Sequence, residues 1–96
     1  MFKILIVEDD DALRETLEIG LRSNGFDVCQ AATGTEAIPV FEKHKPDLVL
    51  LDLMLPGKNG IEICQEIRQT SGVPIIMLTA RTEDNDMIRG LEAGAD

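Results

Sequence analysis

A chain of 96 residues with 44% hydrophobic side chains has room for one small domain and enough apolar material to fold it. Its formal net charge of −9 argues against nucleic acid as a direct partner, because phosphate backbones select Lys and Arg, and it suits cation binding or docking on a basic surface. Cys29 and Cys64 make neither a disulfide framework nor a metal-ligand pattern, and no window has membrane-spanning length or follows a signal peptide's basic start.

These features predict a soluble, cytoplasmic protein with no membrane association and both thiols reduced and half-buried. In chain order, the apolar run Lys3–Val7 is the first strand. A helix of period 3.6 follows, with Leu13, Leu17, Leu21 and also Ile19 on its apolar side, and it ends at Gly25. Phe26–Ala32 is a second, shorter strand. Thr33-Gly34-Thr35-Glu36 has capping-box spacing and opens a helix through about Lys43. Pro39 fits badly inside it, since an interior proline removes a backbone donor and costs about 3 kcal/mol. A kink at Pro39 or a later helix start is therefore expected. Asp47–Asp52 is the third strand, Gly60–Gln69 a helix, Pro74–Thr79 the fourth strand and Asp84–Ala93 a last helix stopped at Gly94. The alternation predicts an α/β domain over 1–96, a doubly wound parallel sheet with helices on both faces.

Two acidic strand ends stand out: Glu8-Asp9-Asp10-Asp11 after the first apolar run, and Asp52 after the third. Neighbouring parallel strands open their carboxyl ends onto one crevice, where ligands of open α/β sheets bind. Several carboxylates there need a cation or a proton to compensate them. One of Asp10 and Asp11 is sufficient to cap the following helix, which leaves Glu8 and Asp9 for metal chemistry. Their hard oxygens suit Mg²⁺, which takes one or two carboxylates and keeps several waters. Asp52 is either a turn residue or a nucleophile that could form an aspartyl phosphate beside the cation. Thr79 is either a plain strand former or a hydroxyl for a phosphoryl oxygen, and Met54 packs or offers a backbone carbonyl to a metal. His44, among Lys43, Lys45 and Pro46, reads as a solvated helix-end residue.

Taken in order, the strand-one acids, Val49-Leu50-Leu51-Asp52-Leu53-Met54-Leu55-Pro56-Gly57, Leu78-Thr79-Ala80 and Gly90–Asp96 resemble the receiver domain of two-component response regulators, most like the winged-helix OmpR/PhoB-type subfamily. The resemblance implies a flavodoxin-like (CheY-like) sheet of strand order 2-1-3-4. It implies Asp52 as phosphoacceptor, Asp9 as direct Mg²⁺ ligand, Glu8 as a water-mediated one, and the Met54 carbonyl completing the coordination. It also implies Thr79 and Ala80 as the switch, a sensor histidine kinase as phosphoryl donor, and an output domain that binds DNA. At most weak self-catalysed phosphoryl transfer and autodephosphorylation are expected, and no enzyme activity beyond them.

The family continues into a fifth strand and helix that carry a Lys and an aromatic residue of the switch. Here Lys3, Lys43, Lys45 and Lys58 fall elsewhere, and there is no Tyr or Trp. A receiver truncated before its fifth strand is expected, with Ile75–Leu78 as an apolar edge open to self-association, testable by sedimentation. A fragment of this kind that keeps the fold without switching is the alternative reading. An aspartyl phosphatase would need a second acid two residues after Asp52, where Met54 stands.

Overall fold

The computed structural model describes residues 1–52, 55 and 59–78. Four strands and three helices alternate as β1 (Lys3–Val7), α1 (Asp11–Ser23), β2 (Asp27–Ala31), α2 (Gly34–His44), β3 (Leu48–Asp52), α3 (Gly60–Arg68) and β4 (Ile75–Leu78). All three strand pairs are parallel, and the order β2-β1-β3-β4 is the expected one. The expected helix over Asp84–Ala93 and the end of strand four at Thr79 lie outside the described residues.

β1 and β3 are the central strands of the four, which explains their unbroken apolar sequences: both faces are covered. Odd-numbered Leu5, Val7, Val49 and Leu51 join Ala37 of α2 and Ile63, Cys64 and Ile67 of α3 in the larger core cluster. Even-numbered Ile4, Ile6 and Leu50, with Val28, form a second cluster under Leu17 and Leu21 of α1. Leu13 and Ile19 are exposed instead of packed. Ile19 lies about half a helical turn from Leu17 and Leu21, so one face cannot hold all four. Both thiols lie deeper than expected, Cys29 at 8% and Cys64 at 0% exposure, and burial pushes the Cys29 thiol up from its ordinary range. β4 is one of the two outer strands of the four, and its Ile76 is exposed.

Each helix starts on a side-chain cap. Asp10 accepts from the Leu13 N–H at 3.1 Å, Thr33 from Glu36 at 3.1 Å, and Asn59 from Glu62 at 3.0 Å. Glu36 reaches back to the Ala32 N–H at 3.0 Å, closing the expected box one residue early. α1 ends at Asn24, and Gly25 then takes φ 90°, a left-handed conformation that turns the chain toward β2.

α2 starts at Gly34 and runs through Pro39, so the helix neither begins later nor breaks there. The proline deprives the Thr35 carbonyl of its i+4 donor. The side chain is exposed, so nothing in the core requires it. Pro39→Ala is expected to stabilise the domain by about 1–3 kcal/mol, visible as a higher urea midpoint with an unchanged slope. An unchanged or lower midpoint would mean that α2 accommodates the ring without strain.

Candidate metal and acceptor site

Register alone brings the acids together. Val7 pairs with Leu51 across the β1–β3 ladder, so Glu8 and Asp52 are the next residues at the same height on adjacent strands. Both continue the even-numbered series that faces the α1 side of the sheet. The Glu8 N–H still pairs with the Ala31 carbonyl at 3.1 Å, which extends β1 by one bond and fixes the residue at the sheet rim. Asp9 follows at the turn into α1.

Carboxylate oxygens of Glu8, Asp9 and Asp52 all lie within 4.8 Å of one another. Glu8 is 4% exposed, Asp52 half-buried and Asp9 exposed, so the cluster runs from the rim of the core out to solvent. Burial, reinforced by a hydrogen bond that protonated Glu8 donates to the Asp52 carboxylate and by repulsion from that carboxyl, pushes Glu8 up to about 8. Repulsion from Asp9 adds to the rise, and the Asp9 N–H, donating to Glu8 Oε2 at 3.1 Å, opposes it. The rise favours a proton on Glu8 in the metal-free protein. Such a donor set fits a small hard cation: all its atoms are carboxylate oxygens, and a divalent ion would compensate the crowding that the proton now relieves.

Asp10 is the cap of α1, and Asp11 sits in its first turn beside Arg14, so neither is needed at the cluster. His44 closes α2, where its carbonyl lies 3.5 Å from Nζ of Lys3 at the start of β1, whereas the acids stand at the other ends of β1 and β3. Met54, Thr79 and Ala80 lie outside the described residues.

Arg14 belongs to this region although its sequence position did not single it out. Its Nη1 donates to the Glu8 carbonyl at 2.8 Å and its Nε to Gln30 Oε1 at 3.3 Å, while Nη2 bonds the Asp11 carboxylate. The available signal was its place four residues after the capping Asp10, one helical turn into α1 and so able to reach back over the strand end.

Three comparisons bear on this site. The family described as the response regulator receiver domain matches residues 4–96. The chain is 54% identical over 94 residues to the DNA-binding response regulator MtrA of Mycolicibacterium paratuberculosis, covering 98% of this chain and 42% of that protein. It is 48% identical over 96 residues to the transcriptional regulatory protein AfsQ1 of Streptomyces coelicolor, covering 100% of this chain and 43% of that one. It thus spans about two fifths of the length of these curated relatives. Among solved structures, the BeF3-activated N-terminal receiver domain of Klebsiella pneumoniae RstA superposes with a TM-score of 0.94 at 41% identity, over 97% of this chain and 80% of that one. A putative response regulator from Chloroflexus aurantiacus superposes with a TM-score of 0.93 at 43% identity, over 99% and 80%.

Proposed function

Since the chain belongs to the response regulator receiver domain family, we propose that Asp52 is its phosphoacceptor and that Glu8, Asp9 and Asp52 hold Mg²⁺ beside it. The Met54 carbonyl, Thr79 and Ala80 complete the proposal as metal ligand and switch. As a receiver, the chain is a signalling module of a two-component system. We assign its phosphoryl donor to a sensor histidine kinase, its place to the cytoplasm, and the parent protein's output to DNA binding, as in the names of its relatives. No helix among the described residues is long and apolar enough to cross a membrane.

The observation that carries the reading is the register: one step past the Val7–Leu51 pair, two strand ends and the following turn bring three carboxylates together at an open rim. Asp52, half-buried at the end of β3, has a fixed backbone and an accessible side chain, as a nucleophile needs. Its oxygen attacks the phosphorus of a phosphohistidine; a P–O bond forms, the P–N bond breaks, and the imidazole leaves with the electron pair. Bound Mg²⁺ supplies compensation for the charge on the transferring oxygens, which is where most of the catalysis of such transfers arises. Glu8 must give up its proton for the cluster to take the cation at full charge, and Asp9 lies on the exposed side.

Acetyl phosphate with Mg²⁺, followed by intact mass spectrometry, tests this. One phosphoryl adduct that is lost with EDTA in the reaction is expected. No adduct would reject the acceptor reading and leave a domain that has the receiver fold without taking the group.

A further inference from the structure

We infer that Arg14 is a positioning residue that sets the Glu8–Asp9 peptide, and through it the metal-binding carboxylates; this rests on the reading that those acids hold Mg²⁺. The ladder between β1 and β2 ends with the bond from the Glu8 N–H to the Ala31 carbonyl. Beyond it, the orientation of the next peptide is not dictated by the sheet. That peptide decides where the Asp9 side chain projects, because its plane fixes the direction of the chain entering the Asp9 Cα.

Both polar groups of this peptide are held. Its carbonyl accepts from Arg14 Nη1 at 2.8 Å, and its N–H donates to Glu8 Oε2 at 3.1 Å. On the helix side, Asp10 caps the Leu13 N–H, and the Arg14 N–H bonds the Asp10 carbonyl at 2.9 Å. Asp9 is therefore set between two pinned steps, the peptide that enters it from β1 and the cap that follows it on α1. The guanidinium is itself immobilised: Nε holds Gln30 on β2, Nη2 holds Asp11, and the side chain is only 16% exposed. A planar fork is required to serve acceptors on β1, β2 and α1 at once; a Lys ammonium is a compact point charge on a flexible stem and cannot reproduce it.

Charge and geometry predict opposite effects, which makes the inference decidable. A guanidinium close to the acids repels a divalent cation, so as a charge alone it weakens Mg²⁺ binding, and neutralising it would tighten the site. As a positioning group it strengthens binding, and removing it loosens the ligands. Partners that orient metal ligands are worth about 10–100-fold in affinity; a partner acting through one peptide is expected near the lower end.

The experiment is calorimetric titration of Mg²⁺ into wild type, Arg14→Met and Arg14→Lys, with metal-free urea unfolding of each. Roughly tenfold weaker Mg²⁺ binding is expected for Arg14→Met and about fivefold for Arg14→Lys, with acetyl phosphate labelling slowed in step. Tighter binding in Arg14→Met would show that only the charge matters and overturn the inference. Lower stability with unchanged Mg²⁺ affinity would overturn it too, since the folded fraction of a merely destabilised protein binds as before. If Arg14→Met does not fold, Arg14→Lys carries the test, and full Mg²⁺ affinity in it would reject the fork. Absence of Mg²⁺ binding by wild type would refute the acid-site reading itself, and this inference with it.

Discussion

Asp52→Asn is expected to abolish the acetyl phosphate adduct, by at least about 100-fold in yield, while the protein stays folded and becomes more stable in metal-free buffer at pH 8. The substitution removes the attacking oxygen and keeps the side chain's shape. It also removes one of the causes that raise Glu8, the repulsion from the Asp52 carboxyl, and offers an amide that can donate to Glu8 in its ionised form. Relief of that crowding is expected to contribute about 1–2 kcal/mol. Urea unfolding at pH 8 with EDTA, run beside intact mass spectrometry, reads both effects in one preparation. An undiminished adduct in the Asn variant would move the acceptor to another group of the cluster, and a less stable variant would show that Asp52 stabilises the fold as a polar partner more than it strains it.

The second large effect is a pH dependence that Mg²⁺ opposes. Glu8 holds its proton up to about pH 8 in the folded protein, against an ordinary value of 4.5 in the unfolded chain. Between those values the native state holds more protons than the unfolded state, so stability falls as pH rises. The contribution is fully present below about pH 4.5 and is lost by about pH 8, on the order of 2–4 kcal/mol. On the proposed reading Mg²⁺ would bind the ionised carboxylates of the native state, so its stabilisation would grow over the same window, to about 2.7 kcal/mol at a hundredfold excess over Kd. Unfolding midpoints at several pH values, with EDTA and with Mg²⁺, should therefore diverge as pH rises. Glu8→Gln isolates the group: its metal-free curve is expected to be flatter between pH 5 and 8. Parallel curves for wild type and Glu8→Gln would assign the slope to other residues.

The strands were legible because a strand covered on both faces has an unbroken apolar sequence, as Lys3–Val7 and Leu48–Asp52 do, and their ends carry the acids. The parallel order of β1 and β3 then aligns those ends, so Glu8, Asp9 and Asp52 could be read as one cluster before their distance was known. The caps were legible for the same local reason: Asp10 and Thr33 are short polar side chains just before periodic segments. Where local rules compete with packing they failed. Pro39 disfavours helix by itself, yet Ala37 of the same helix is fully buried against the sheet, and α2 is held across the proline by that face. Ile19 is apolar but on the wrong side of its helix, which its type does not reveal and its spacing from Leu17 does. Arg14 was invisible because a guanidinium's acceptors are set by tertiary geometry: a carbonyl on β1, an amide on β2 and a carboxylate on α1.

α1 differs from its two companions in how it is attached. α2 buries Gly34 and Ala37 and α3 buries Gly60, Ile63, Cys64 and Ile67, whereas no residue of α1 is fully buried. Its hold on the sheet is shared between half-buried Leu17 and Leu21 and two polar tethers, Arg14 at one end and Arg22 at the other, where Nη2 reaches the Val28 carbonyl at 3.0 Å. A helix attached in this way can lift away at a fraction of the free energy needed to unfold the domain. In hydrogen–deuterium exchange its amides would lose protection first, as a unit, while β1 beneath it stays protected until global opening. The acids stand at the boundary between those two layers of protection, with Glu8 in the slow one and Asp9 at the entrance to the fast one.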